Sequence, residues 1–261
     1  MNTELLKNKI VFITGASSGI GSACAEHCAA QGAKLILTAR RLDRLHNLQE
    51  KLKKQYHTES LALELDVQNK TAVSNAIQGL SKPWDQIDIL INNAGLALGT
   101  NPIQEGNPDD WDLVINTNIL GLLYVTRAIL PQMIARNVGH IVNLGSVAGH
   151  DCYPGGNIYC ATKHAVKAIS KSLRLDLLGK SIRVTEIDPG AVHTEFSEVR
   201  WKDKTIADNF YADFTPLVAN DIADAIIYCV TRPLHVNIAE MIIYPLAQAS
   251  VTHLARNKTS A

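Results

Sequence analysis

Short apolar runs rich in Val and Ile alternate along the chain with longer stretches in which apolar residues recur every three to four positions. The first kind of run suits a buried strand and the second a helix with one apolar face, so their alternation predicts βαβ units on a parallel sheet. Strands are predicted over 9–14, 34–39, 60–65, 87–92, 139–145, 181–187 and 236–243. Helices are predicted over 19–31, 41–56, 69–80, 111–136, 157–178 and 220–231. In the second of these Leu42, Leu45, Leu48 and Leu52 share one face. Strands this continuously apolar need cover on both sides, which predicts a doubly wound α/β Rossmann fold: seven parallel strands with helices on both faces.

No repeat and no Pro/Gly-rich linker divides the chain, so residues 1–261 are expected to form one nucleotide-binding domain. The least regular segment, 189–219, is a candidate substrate loop, because long loops in compact domains usually serve function. Hydrophobic residues make up 46% of the 261 positions, ample for a core, and 25 Lys+Arg balance 25 Asp+Glu. Without net positive charge there is no field for non-specific nucleic-acid binding. No uninterrupted apolar stretch approaches the roughly 18 residues of a membrane span, and the N-terminal run Ile10–Ile13 is too short for a secretory core. A soluble cytoplasmic protein with no membrane partner is therefore expected. Cys24, Cys28, Cys152, Cys160 and Cys229 lack paired zinc spacing and read as structural thiols.

The chemistry begins directly after the first strand, at Thr14-Gly15-Ala16-Ser17-Ser18-Gly19-Ile20-Gly21. Glycines there permit a tight turn, and the helix that follows offers free N–H groups to a pyrophosphate. At the end of the second strand, where an acidic residue would select NAD, stand Arg40 and Arg41. Two guanidiniums suit a 2′-phosphate and predict NADP(H), the bland alternative being solvated side chains at a helix start. Further along, Tyr159 and Lys163 lie one helical turn apart, and of seven tyrosines only Tyr159 has Lys at this spacing. Ser146 follows the fifth strand, where strand ends deliver residues to the ligand crevice.

Together with Asp66 after the third strand, Asn92-Asn93-Ala94-Gly95 after the fourth, Asn118, and Pro189-Gly190, these motifs resemble the short-chain dehydrogenase/reductase family across nearly the whole chain. The resemblance implies a catalytic tetrad of Asn118, Ser146, Tyr159 and Lys163. Cofactor contacts are implied at Gly15, Ser17, Ser18, Gly19, Ile20, Gly21, Arg40, Arg41, Asp66, Val67, Asn92, Ala94, Gly95, Tyr159, Lys163, Pro189, Gly190, Val192 and Thr194. Removing hydride from an alcohol requires a base at its hydroxyl. Tyr159 is the expected base, with Lys163 stabilising the phenolate, Ser146 bonding the substrate oxygen, and Asn118 holding a proton-carrying water.

Asn92 to Gly99, Pro154 to Asn157, Thr194 to Arg200 and the tail from Val236 also resemble the NADP-dependent 3-hydroxy acid dehydrogenases within that family. This resemblance implies a small hydroxy acid substrate and a homotetramer. Arg200 is the expected carboxylate partner, with a salt bridge to Glu195 or Glu198 as its alternative. Tyr153 and Leu98 are expected either to line the pocket or to pack, and His193 to be a bystander. The competing functions are a reductase of uncharged ketones or 3-oxoacyl thioesters on the same tetrad, and a non-catalytic NADP sensor.

Overall fold

The computed structural model describes residues 4–256. Element order is β1 (Ile10–Thr14), α1 (Gly19–Ala30), β2 (Lys34–Ala39), α2 (Leu42–Tyr56), β3 (Ser60–Glu64), α3 (Lys70–Gln78), β4 (Ile89–Asn92), α4 (Pro108–Ile115), α5 (Leu122–Arg136), β5 (Gly139–Leu144), α6 (Asn157–Asp176), β6 (Ile182–Pro189), β7 (Val192–His193), α7 (Glu195–Trp201), α8 (Lys204–Tyr211), β8 (Leu217–Val218), α9 (Ala219–Val230) and β9 (Glu240–Ile243). Seven strands form one parallel sheet in the order β3-β2-β1-β4-β5-β6-β9. Chain order reverses between β1 and β4, which opens a crevice at their carboxyl ends, where ligands bind in such sheets. The Gly-rich turn after β1 stands at that crevice.

Alternation along each strand sends side chains to two cores. Val11 and Ile13 of β1 and Leu35 and Leu37 of β2 pack with α1, α2 and α9 on one face. Ile10, Phe12 and Ile36 pack with α3, α5 and the end of α6 on the other. Of the leucine stripe on α2, Leu45, Leu48 and Leu52 are buried and Leu42 packs at its margin. The predicted doubly wound sheet is thus present, covered on both faces.

Three expectations need correction. The helix expected over 111–136 starts at Pro108, capped by the Asn107 side chain on Asp109 N–H, and Asn116–Gly121 widens into a π-helical turn between α4 and α5. Counted as one 29-residue helix, Pro108–Arg136 is long and apolar enough by composition to cross a membrane. Counting uninterrupted apolar residues misses this. Here Val125, Ile129 and Met133 are buried in the second core, with Leu122, Asn118 and Thr126 also buried.

The last strand is also shorter than the expected 236–243. Arg183 of β6 donates to the carbonyls of Cys229, Val230, Arg232 and Val236, gathering the C-terminal end of α9. The Thr185 hydroxyl takes the Ile238 carbonyl. With these acceptors drawn to side chains, ladder pairing begins only at Glu240, opposite Glu186. Finally, the segment 189–219 is ordered into α7, α8 and the parallel pair β7·β8. Thr194 caps α7 by accepting Phe196 N–H, and Asp203 caps α8 by accepting from Thr205 and Ile206.

Candidate active site

A cleft of about 630 Å³ runs from the Gly-rich turn to α7 and α8. Its lining includes Gly15, Ser17, Ser18, Gly19, Ile20, Arg40, Arg41, Asp66, Val67, Ala94, Gly95, Ser146, Tyr159, Lys163, Pro189, Gly190, Val192, Thr194 and Arg200, all expected from sequence. Gly15 and Gly19 have φ of +67° and +54°, a region costly for other residues. Thr194 closes over this turn, since a Cβ at Gly19 would lie 3.4 Å from the Thr194 Cβ.

Two expected cofactor contacts act from behind the cleft instead. Gly21 does not line it, and a Cβ there would meet the Gly15 carbonyl oxygen at 2.3 Å and Asn93 Nδ2 at 2.5 Å, so Gly21 keeps the turn tight. Asn92 is likewise turned away, donating to Thr126 Oγ1 and Asn143 Oδ1, both at 2.9 Å. It ties β4 to β5 and α5. Its neighbour Asn93 lines the cleft and holds the turn by donating to the carbonyls of Thr14 and Gly15. Alternation along a strand end makes this one-residue exchange invisible to a motif.

At the end of β2, Arg41 donates to Ser17 and Ser18 and pairs with Glu195 at 3.0 Å, while Arg44, which sequence reasoning missed, pairs with the same carboxylate at 2.7 Å. Arg40 is exposed at the cleft wall. These cations around Ser17 and Ser18 fit the 2′-phosphate of NADP(H). Asp66 Oδ1 accepts the Gln68 N–H, which shapes the wall where Val67 packs against Gly121.

Deeper in the cleft, β5 delivers Ser146 and α6 delivers Tyr159 and Lys163. Lys163 is 6% exposed, and its ammonium donates to the Leu144 carbonyl at 2.7 Å and lies 5.7 Å from the Tyr159 ring centroid. Burial lowers the Lys163 pKa to about 8, against the raising influence of Asp188 and Glu186. Burial pushes the Tyr159 phenol well above its usual range, and neighbouring Tyr153 pushes the same way. A hydrogen bond with Ser146 and the Arg200 guanidinium oppose this. Burial outweighs them, which favours the protonated phenol at rest.

Asn118 is anchored through its side-chain amide. Its Oδ1 accepts from Leu96 N–H at 2.9 Å, and its Nδ2 donates to the Leu96 carbonyl at 2.8 Å and to Thr162 Oγ1 at 3.1 Å. Both ends of the amide are engaged, so the side chain clamps the loop after β4 to α6. The π-helical turn is what aims it, a common use of such turns.

Arg200 is 9% exposed. It donates to Tyr153 Oη at 2.8 Å and stands 5.7 Å from the Tyr159 ring. The alternative salt bridges are absent: Glu195 pairs with Arg41 and Arg44, Glu198 with Lys204, and no carboxylate pairs with Arg200 among the described residues. Tyr153 lines the cleft and Leu98 does not; His193 rests on the Tyr211 ring outside the lining. Phe196, Trp201, Phe210 and Tyr211 complete an aromatic wall from α7 and α8. Their signal, aromatics in a segment without an apolar period, is present in the sequence but does not say which way they point.

Residues 9–205 match the family model of the short chain dehydrogenase. An NADP-dependent 3-hydroxy acid dehydrogenase of Schizosaccharomyces pombe is 42% identical over 255 residues, 97% of this chain and 98% of that protein. Sulfoacetaldehyde reductase 2 of Chromohalobacter salexigens is 44% identical over 92% of this chain and 95% of its own length. The closed form of a serine dehydrogenase complexed with NADP+ superposes with a TM-score of 0.90 at 42% identity, covering 95% of this chain and 100% of that one. A match of this extent, on a sheet whose switch-point cleft gathers Ser146, Tyr159 and Lys163, makes the chain a member of the short chain dehydrogenase family and an oxidoreductase acting on CH–OH groups.

Proposed function

We propose that the protein transfers hydride between NADP(H) and the 3-hydroxyl or 3-oxo group of small 3-hydroxy acids, of the size of serine, L-allo-threonine or 3-hydroxypropionate. The observation that carries this reading is the buried Arg200 guanidinium beside the Tyr159 ring with no carboxylate partner among the described residues. A buried cation calls for an anion, and a planar guanidinium accepts a carboxylate through two donors. A compact acid held there by one end presents its carbinol to Ser146 and Tyr159.

The cofactor would be held by the turn Gly15–Ile20, by Arg40 and Arg41 at the 2′-phosphate, by Asp66 and Val67 near the adenine, and by Ala94, Gly95, Lys163 and Pro189 to Thr194 along the remainder. When bound, it supplies the hydride acceptor or donor. Ser146 donates a hydrogen bond to the substrate oxygen and Tyr159 exchanges the hydroxyl proton with it. Lys163 keeps a positive charge beneath the phenol, while Asn118 holds the loop that carries Leu96.

The test compares wild type with Arg200→Gln on 3-hydroxypropionate and on an uncharged secondary alcohol of similar size, following NADPH absorbance. Loss of a charge-assisted pair costs about 1.5–3 kcal/mol, roughly a 10- to 150-fold fall in kcat/KM for the acid, with the alcohol little changed. Equal effects on both would sink the proposal. The sulfonate of the second relative's substrate is also an anion, and adding sulfoacetaldehyde to the panel separates the two head groups.

The reading extends to a homotetramer in the cytoplasm. Leu123 and Ile134 on α5 and Leu175 on α6 are exposed apolar residues that can be buried between subunits. A monomer in sedimentation velocity would overturn this part alone.

A further inference from the structure

Three residues of metal-ligand type meet behind Ser146. His150 Nε2 lies 3.0 Å from Asp188 Oδ2 and 3.3 Å from Glu240 Oε1. A cation already serves this cluster: Lys167 Nζ is 3.1 Å from Glu240 Oε1 and 2.7 Å from His150 Nδ1. With the ammonium donating to Nδ1, the imidazole carries its proton on Nε2 and donates it to Asp188. The other oxygen of the same carboxylate, Asp188 Oδ1, accepts the Ser146 N–H at 2.9 Å. One carboxylate therefore grips both ends of the loop 146–150. Inside that loop the Ser146 hydroxyl accepts from Ala148 N–H at 3.1 Å, so the direction of Oγ follows the loop. Gly145 makes the grip possible, since a Cβ there would lie 1.9 Å from Asp188 Oδ1.

We infer that His150 is a positioning residue for hydride transfer, holding the Asp188 carboxyl group against the Ser146 amide so that the Ser146 hydroxyl stays aligned on the substrate oxygen. Asp188 is wholly buried on β6. Facing it are His150 from its loop, Glu186 on the same strand, Glu240 and Tyr244 from β9 and the residue after it, and Lys163 and Lys167 from α6. Burial, then Glu240, raises its pKa, while the hydrogen bond from His150 lowers it, helped by the Ser146 N–H. Without His150 the carboxyl takes up a proton at higher pH. A neutral acceptor holds the Ser146 amide more weakly, and the hydroxyl loses alignment as pH falls.

The inference rests on Ser146 contacting the substrate oxygen. Wild-type turnover checks that reading, and the ratio of variant to wild type checks this one on whichever acid or alcohol the enzyme oxidises. In His150→Ala, kcat at pH 6–7 should fall roughly tenfold to a hundredfold, the cost of a small misalignment, and recover as pH rises toward 9. NADPH affinity should stay within about twofold, because no cofactor-holding residue is touched. His150→Gln, whose amide can donate to Asp188, should restore most of the rate. An unchanged kcat, or a loss equal at every pH and not rescued by Gln, would overturn the inference. Should His150→Ala fail to fold, Lys167→Met reads the same chain from its other end: it frees the tautomer and should give a smaller loss in the same pH sense. A wild-type pH profile in that variant would refute the inference.

Discussion

At the scale of single residues, the tetrad types are visible in the sequence because their spacing follows the chain: Tyr159 and Lys163 share one helix, and Ser146 ends a strand. Their partners are not visible. Asp188, which holds the Ser146 amide, and Thr162, which receives Asn118, are set by which elements pack together, and no local pattern reports that. The upward pull on the Tyr159 phenol has the same origin. Burial dominates it, and burial is a property of the assembled cleft. A protonated resting phenol is the form that donates to a reduced carbonyl, so Tyr159→Phe should cut NADPH-dependent reduction by roughly 10²- to 10⁴-fold, the range of general acid catalysis. Fluorescence titration should show NADPH binding retained. Full turnover in the variant would remove Tyr159 from the chemistry, and a sensor without turnover would leave nothing to lose.

At the scale of elements, the periodicities place every strand of the main sheet and miss what depends on hydrogen-bond register. The π-helical turn at Asn116–Gly121 carries an apolar pattern close to that of an ordinary helix, and β9 is shorter than its apolar run because side-chain donors of Arg183 and Thr185 compete for its carbonyls. Glycine roles separate in the same way. A Cβ at Gly21 would meet backbone and the Asn93 amide at under 3 Å, whereas one at Gly179, with φ +80°, would have nothing within 4 Å. Gly21→Ala should therefore push the phosphate turn open and weaken NADPH by about 5- to 150-fold, the cost of overpacking by 1–3 kcal/mol. Gly179→Ala should cost only the left-handed backbone strain, about 1–2 kcal/mol of stability, with NADPH affinity unchanged. Isothermal titration and thermal melts measure both; equal affinity losses would show that the turn does not depend on this close approach.

At the scale of the whole molecule, the balanced charge of the chain gives no hint that the sheet interior holds groups out of their solution ionisation. His140 on β5 is 2% exposed and its Nε2 pairs with Thr185 Oγ1 of β6 at 2.8 Å. Burial, reinforced by the charge of Arg183, lowers its pKa to about 3. In the unfolded chain an ordinary histidine takes its proton near pH 6.5. Below that pH the unfolded state binds a proton that the folded state refuses, so stability falls with falling pH until the folded pKa is reached. The slope is about 1.4 kcal/mol per pH unit, or about 2 kcal/mol between pH 6.5 and 5. Other groups titrate over this range, so the informative quantity is the difference between wild type and His140→Gln, whose amide can keep the Thr185 contact without titrating. Urea unfolding at pH 7.5 and pH 5 should show wild type losing about 2 kcal/mol more than the variant. Parallel losses would mean that His140 is charged in the folded sheet, and that Thr185 and the strand pair β5·β6 accommodate an imidazolium beside Arg183.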